Sequence, residues 1–261
     1  MSGEREVLYA VTDGVAHITI NRPERRNALT WTAIELLGEC LTAAKEDPRV
    51  RVVVLQGAGD KAFCAGLDLA KMESGASYAA LHQARGRVGA LFTQLWSLGK
   101  PTIAAVRGFA VAGGFGLALA CDLVVCSDDS TFAAPEIDVG LWPFMITVPL
   151  VRSMPPKKAL ELMLTGRRVG ASEGERLGFV NQVVPPGGLD EAVAALAATL
   201  VTKSPLALRL GRDSFYAVWD LAAADALAVL HPLLTLITGT DDAHEGMAAF
   251  AEKRPPEWSG S

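Results

Sequence analysis

Residues 100–140 read KPTIAAVRGFAVAGGFGLALACDLVVCSDDSTFAAPEIDVG. The run at 102–106 predicts an apolar strand, followed by a glycine-rich turn and a small-residue helix from about Gly114 to Ala120. A second apolar run at 123–126 comes next, and then an isolated carboxylate, Glu136, between Pro135 and Ile137. The first N–H groups of a helix lack intrahelical partners and sit at the positive end of its dipole. The turn at Ala112, Gly113 and Gly114 is therefore suited to an anion or a developing oxyanion, with glycine letting a ligand come close. A carboxylate facing that turn would be placed as a general base.

Working outward, residues 7–13 and 15–20 are β-prone runs joined by Asp13-Gly14, a hairpin signal. Ala16, Ile18 and Ile20 share one face of the second run, which leaves His17 as a surface residue. The polar segment NRPERRNALT ends in Thr30, an expected N-cap for a helix to about Lys45. Its three arginines read either as a phosphate-meeting loop or as a solvated turn. Residues 50–56 fit a strand buried on both faces. Phe63-Cys64-Ala65-Gly66 then leads into a short helix start at 67–72, a second place where glycine precedes a helix; two such donor sites are what a two-donor oxyanion hole requires. An amphipathic helix is expected over 78–97 with His82 exposed, and helical pieces at 143–151, 155–164 and 171–177, the last opened by a capping box from Ser172 to Glu175. A short strand at 180–184 ends in Pro185-Pro186-Gly187-Gly188, the best internal boundary. Beyond it the periodicity is helical: 189–202, 206 to about 236, and 241–253. Two regions follow: a strand-and-helix core over 1–188 and a helical part over 189–261.

The 261 residues are 50% hydrophobic and 20% charged, enough to bury a large core and unlike a disordered chain. Net charge is −5 and no basic run exceeds two residues, which argues against nucleic acid as a partner. No apolar stretch reaches the ~20 residues of a membrane span, and MSGEREV lacks an apolar signal core, so a cytoplasmic location is expected. Cys40, Cys64, Cys121 and Cys126 show no CxxC spacing, so neither a metal nor a disulfide is expected.

The ordered segments INRPERRNAL, AFCAGLDL, KPTIAAVRGFAVAGGFGLALACD, FAAPEIDVGL, LTGRRVGASEGERLGFVNQVV and EGMAAFAEKR resemble the crotonase superfamily, the enoyl-CoA hydratase and isomerase family, almost end to end. The resemblance implies an α/β fold: a spiral of strand-strand-helix units with a helical C-terminal part used for oligomerisation, as a homotrimer or dimer of trimers. It implies an acyl-CoA substrate carried as the coenzyme A thioester, with no prosthetic group, in the chemistry of fatty acid β-oxidation. The oxyanion donors would be the N–H groups of Leu67 and Gly113, and Gly114 would be among the residues that bind coenzyme A. The adenine end of coenzyme A would lie beside Ala65, Asp68 and Leu69, and its phosphates near Arg25, Arg26 and Lys253.

Hydratases of the family use two glutamates. Here the first position is Gly116 and the second is Glu136, while a glycine that helps seat the water corresponds to Phe144. A single carboxylate opposite two N–H donors is sufficient to move a double bond from β,γ to α,β, the isomerase reaction. Two alternatives stay open. If residues 136–140 are extended, Asp138 shares a face with Glu136 and could serve as the second acid of a hydratase or another water-using enzyme; otherwise it turns to solvent or pairs with an arginine. A protein that binds acyl-CoA without turnover is the other. A dinucleotide oxidoreductase is disfavoured because Leu119 occupies the third small position after Gly114-Phe115-Gly116.

Overall fold

A computed structural model describes residues 5–68 and 77–261. Ten strands form two sheets among these residues. The larger sheet runs β1 (Val7–Thr12), β2 (Val15–Ile20), β3 (Val52–Gly57), β5 (Thr102–Val106), β7 (Leu123–Ser127) and β10 (Gln182–Val184); β1 is antiparallel to β2 and every other neighbour is parallel. The smaller sheet runs β4 (Ala62–Cys64), β6 (Phe109–Val111), β8 (Thr131–Ala133) and β9 (Val169–Gly170). The chain alternates between them. β3 is followed by β4, β5 by β6 and β7 by β8, and each pair leads into helical structure before the next strand of the larger sheet. Each turn advances one place in both sheets, which is the strand-strand-helix spiral.

The apolar runs follow from burial on both faces of the larger sheet. Val53, Leu55, Ala104, Val106, Val124 and Cys126 point into the main core with helices Trp31–Glu46, Tyr78–Trp96 and Gly113–Ala120, while Val52, Val54, Ile103, Ala105 and Val125 point the other way, onto helix Leu189–Val201 through Leu189, Val193 and Ala197. The first helix after the Pro-Gly cluster thus packs on the sheet itself. Asp13 and Gly14 both have positive φ, as the tight hairpin turn demands, and Thr30 caps its helix by accepting from Ala33 N–H at 3.0 Å.

Several boundaries differ from the pattern reading. Helix Ala171–Leu177 is capped at Gly170 with no side-chain bond, so Ser172 opens no capping box. The helix expected from 206 to 236 breaks into Pro205–Val218 and Ala223–Thr238 without Gly or Pro at the break. The expected helix start at 67–72 lies mostly outside the described residues. His17 is half-buried, and burial lowers its pKa.

Candidate active site

Three segments converge on the turn before helix Gly113–Ala120. The first is the loop at residues 22–29. Asn27, wholly buried at φ 56°, holds it in place: its Oδ1 accepts from Arg22 N–H at 2.9 Å, and its Nδ2 donates to the carbonyls of Ala58 at 2.9 Å and Ala62 at 2.7 Å. The second is the loop after β4. Leu29 N–H donates to Gly66 O at 2.7 Å, and Asp68 N–H donates to Leu29 O at 2.9 Å. These two bonds make a parallel bridge between Leu29 and Leu67. In such a bridge the middle residue's own N–H and C=O point away from its partner, so Leu67 N–H faces away from Leu29.

The third segment is the turn itself. Ala112 sits at φ 51°, ψ −126°, backbone that disfavours a side chain, and is held by its N–H to Ala133 O at 2.9 Å. Gly66, at φ 85°, packs directly on this turn: a Cβ added to it would stand 2.9 Å from Ala112 Cβ and 3.2 Å from Gly113 N. The loop carrying Leu67 and the amide of Gly113 are therefore in contact. Neither the Leu67 nor the Gly113 N–H has a protein acceptor among the described residues. Gly114 serves the packing, since a Cβ on it would lie 2.7 Å from the carbonyl carbon of Cys64.

Glu136 lies in a 3-10 turn, Pro135–Val139, directly after β8. Phe132 of β8 packs with Phe115 and Phe179, ring centroids 5.1–5.4 Å apart, which ties this segment to the helix that bears Gly113. Among the described residues, Glu136 Oε2 is the buried side-chain oxygen without a hydrogen-bond partner. Burial raises its pKa above the ordinary 4.5, opposed only by a hydrogen bond from its own backbone N–H. A desolvated, unpaired carboxylate is a strong base toward whatever reaches it.

The 3-10 turn overturns the extended geometry that would have put Asp138 beside Glu136. With about three residues per turn, positions two apart point to different sides. Asp138 is exposed, and its carboxylate oxygens stand 3.1 Å from where a Cβ on Gly166 would be, against the end of helix Pro156–Thr165.

At Gly116 there is no room for any side chain. A Cβ there would overlap Ile146, 2.8 Å from its Cβ, and lie 3.1 Å from Phe92 Cζ. Phe144, by contrast, is 75% exposed, and it is Ile146, two residues further along helix Phe144–Ser153, that fills the space a side chain at 116 would need. Pattern reading missed Ile146, and only the registration of two packed helices reveals it.

Of the expected coenzyme-binding residues, Ala65 is half-buried and its N–H donates to Arg26 O at 3.1 Å. Asp68 is buried and paired with Arg22 at 2.9 Å, with Arg25 at 3.5 Å. Burial pushes its carboxyl up, but the hydrogen bond and charge of Arg22, joined by Arg25, hold it below the ordinary aspartate range. The Arg25 side chain is 53% exposed, at the rim. Arg26 is exposed, its guanidinium 6.0 Å from the centre of the Phe109 ring. Lys253 caps the last helix at φ 56°, and no hydrogen bond or ion pair joins it to residues 22–29 among the described residues. Leu69 lies outside the described residues. No group of three His, Cys, Asp or Glu side chains placed to hold a metal occurs among the described residues.

The two-sheet strand-strand-helix spiral, with the Leu67 loop packed on the turn at Gly113, is the fold of a crotonase-type enzyme, and comparison with known proteins agrees. A profile of the enoyl-CoA hydratase/isomerase family matches residues 10–261. Carnitinyl-CoA dehydratase of Escherichia coli K12 is 36% identical over 261 residues, covering 98% of this chain and 99% of the relative. A Thermus thermophilus protein provisionally named an enoyl-CoA hydratase is 40% identical over 246 residues, 94% of this chain and 97% of its own. Among solved structures, enoyl-CoA hydratase of Mycobacterium smegmatis superimposes with a TM-score of 0.94 at 36% identity, covering 98% of this chain and 99% of that one. The chain belongs to the enoyl-CoA hydratase/isomerase family of the crotonase superfamily. Enzymes of this family act on coenzyme A thioesters, and this chain is a crotonase-type enzyme.

Proposed function

We propose that this enzyme is an enoyl-CoA isomerase that moves a double bond from the β,γ to the α,β position through Glu136 alone. The observation that supports the reading is the closure of position 116 by Ile146 and Phe92, which leaves no room there for a second acid, beside a Glu136 Oε2 that is buried without a partner. The Glu136 carboxylate takes a proton from the α-carbon, and the electron pair moves to the thioester oxygen. That oxygen becomes a dienolate held by the Leu67 and Gly113 N–H groups, donors fixed before the reaction begins. Protonated Glu136 then returns the proton to the γ-carbon, and the double bond settles between the α- and β-carbons.

Arg25 and Arg26 are suited to the phosphates of coenzyme A by charge and exposure. The 189–261 region divides in this reading. Helix Leu189–Val201 belongs to the core, while the helices after it carry exposed Phe215, Leu227, Leu234, Met247 and Phe250 and form the contact surface of a homotrimer or dimer of trimers. A second reading is favoured by the names of the relatives: hydration or dehydration, with water reaching Glu136 by a route that does not use position 116. Separate incubations with β,γ- and α,β-enoyl-CoA distinguish the two. The isomerase converts the first into the second, whereas β-hydroxyacyl-CoA from the α,β substrate, with the β,γ substrate untouched, identifies the hydratase.

A further inference from the structure

Behind the Leu67 amide lies an ion pair whose halves come from distant segments. Arg22 Nη2 donates to Asp68 Oδ2 at 2.9 Å, and the two side chains are only 6% and 3% exposed. Arg22 is fixed in turn: Nη1 donates to Ala28 O, Nε lies 3.5 Å from Glu6, and its backbone N–H donates to Asn27. Asp68 follows Leu67 directly, and its own N–H is bound to Leu29 O. Residues 66–68 are thereby pinned along the side facing residues 22–29, and Leu67 N–H is left facing the other way.

We propose that the Arg22–Asp68 pair is a positioning device that fixes the Leu67 amide against the Gly113 amide and does not itself touch the ligand. The proposal rests on the oxyanion role given to those amides above. A guanidinium and a carboxylate that are buried and hydrogen-bonded have little freedom to rotate, so the peptide next to Asp68 inherits their rigidity. The precision matters because a misplacement of about 1 Å can cost on the order of 100-fold in rate. The resemblance placed Asp68 beside adenine, but a carboxylate shut away from solvent and already held by Arg22 is poorly suited to contact a nucleotide.

Asp68→Asn and Arg22→Lys test this, each first checked for fold by circular dichroism and thermal melting. Acetoacetyl-CoA, which ionises to an absorbing enolate, probes the two amides, and saturated butyryl-CoA probes ground-state binding. Asp68→Asn is expected to bind butyryl-CoA within about twofold of wild type, to hold the enolate more weakly, and to lower kcat by about tenfold or more with little change in KM. Arg22→Lys keeps the charge without the planar fork and falls between, and it carries the comparison if Asp68→Asn does not fold. Equal loss of both ligands would make Asp68 a ligand contact and overturn the proposal. Unchanged enolate affinity and kcat in a folded variant would make the pair purely structural and overturn it too. A wild type that prefers the enolate yet moves no double bond sinks the isomerase reading and leaves this one standing. A wild type with no such preference sinks the amide assignment on which both rest.

Discussion

Glu136 carries two opposed demands. Burying a carboxylate without a partner penalises its charged form, which is unfavourable for folding and useful for proton abstraction. Glu136→Gln should lower isomerase kcat by roughly 100-fold or more while leaving coenzyme A affinity nearly unchanged, as measured by steady-state kinetics and calorimetry. The same variant should melt at a higher temperature than wild type at neutral pH. The sign follows from the raised pKa: the folded state holds this proton more tightly than the unfolded chain, so stability present below the ordinary 4.5 is lost as pH rises through the higher folded value. The advantage of Gln should therefore shrink below pH 4.5 in melts run across pH. Because the base must be ionised, the acidic limb of the kcat/KM profile should have its midpoint above 4.5. A midpoint at or below that value would mean that the carboxylate is solvated in the working enzyme.

In the proposed mechanism, helix pairing decides what Glu136 works with. Gly→Ala inside a helix ordinarily gains about 0.5–1 kcal/mol, but at Gly116 the new methyl group meets Ile146 and Phe92, and overpacking of this kind costs about 1–3 kcal/mol. Gly116→Ala should therefore destabilise, as read by urea titration. At the other end of the site, Gly66→Ala combines a positive φ with a 2.9 Å approach to Ala112 Cβ. It should cost at least about 1–2 kcal/mol from the backbone alone and lower kcat by displacing Leu67. The elements were largely legible in the sequence where periodicity is long: the hairpin, the Thr30-capped helix, and the strands at Thr102–Val106 and Leu123–Ser127 fall where expected. The smaller sheet was not. Its strands are two or three residues long, too short to show alternation, and Phe109–Val111 is hidden inside what reads as a glycine-rich turn. The turn of residues 135–139 was open for the same reason: five residues cannot distinguish an extended run from a 3-10 helix, and the reading of Asp138 depended on that choice.

Across the whole molecule, the spiral brings residues 22–29, 66–68 and 112–116 together from three places in the chain. Glu136 and Gly116 could be read by position, but the neighbours that define their chemistry, Ile146 for Gly116 and Arg22 for Asp68, are set by packing between segments far apart in sequence. The exposed apolar side chains of the last three helices, Phe250 at 87% among them, lie on the surface proposed for oligomerisation. Light scattering should give a mass that is a multiple of three of the 27.5 kDa chain, and Phe250→Asp with Leu234→Asp should shift it toward the single chain. The central claim, one acid carrying one proton between two carbons, is tested most directly with β,γ-enoyl-CoA deuterated at the α-carbon and turned over once in ordinary water. Mass spectrometry and NMR of the α,β product should find part of the label at the γ-carbon, with no turnover in Glu136→Gln. A β,γ substrate that keeps all of its α-deuterium and yields no α,β product would contradict the account.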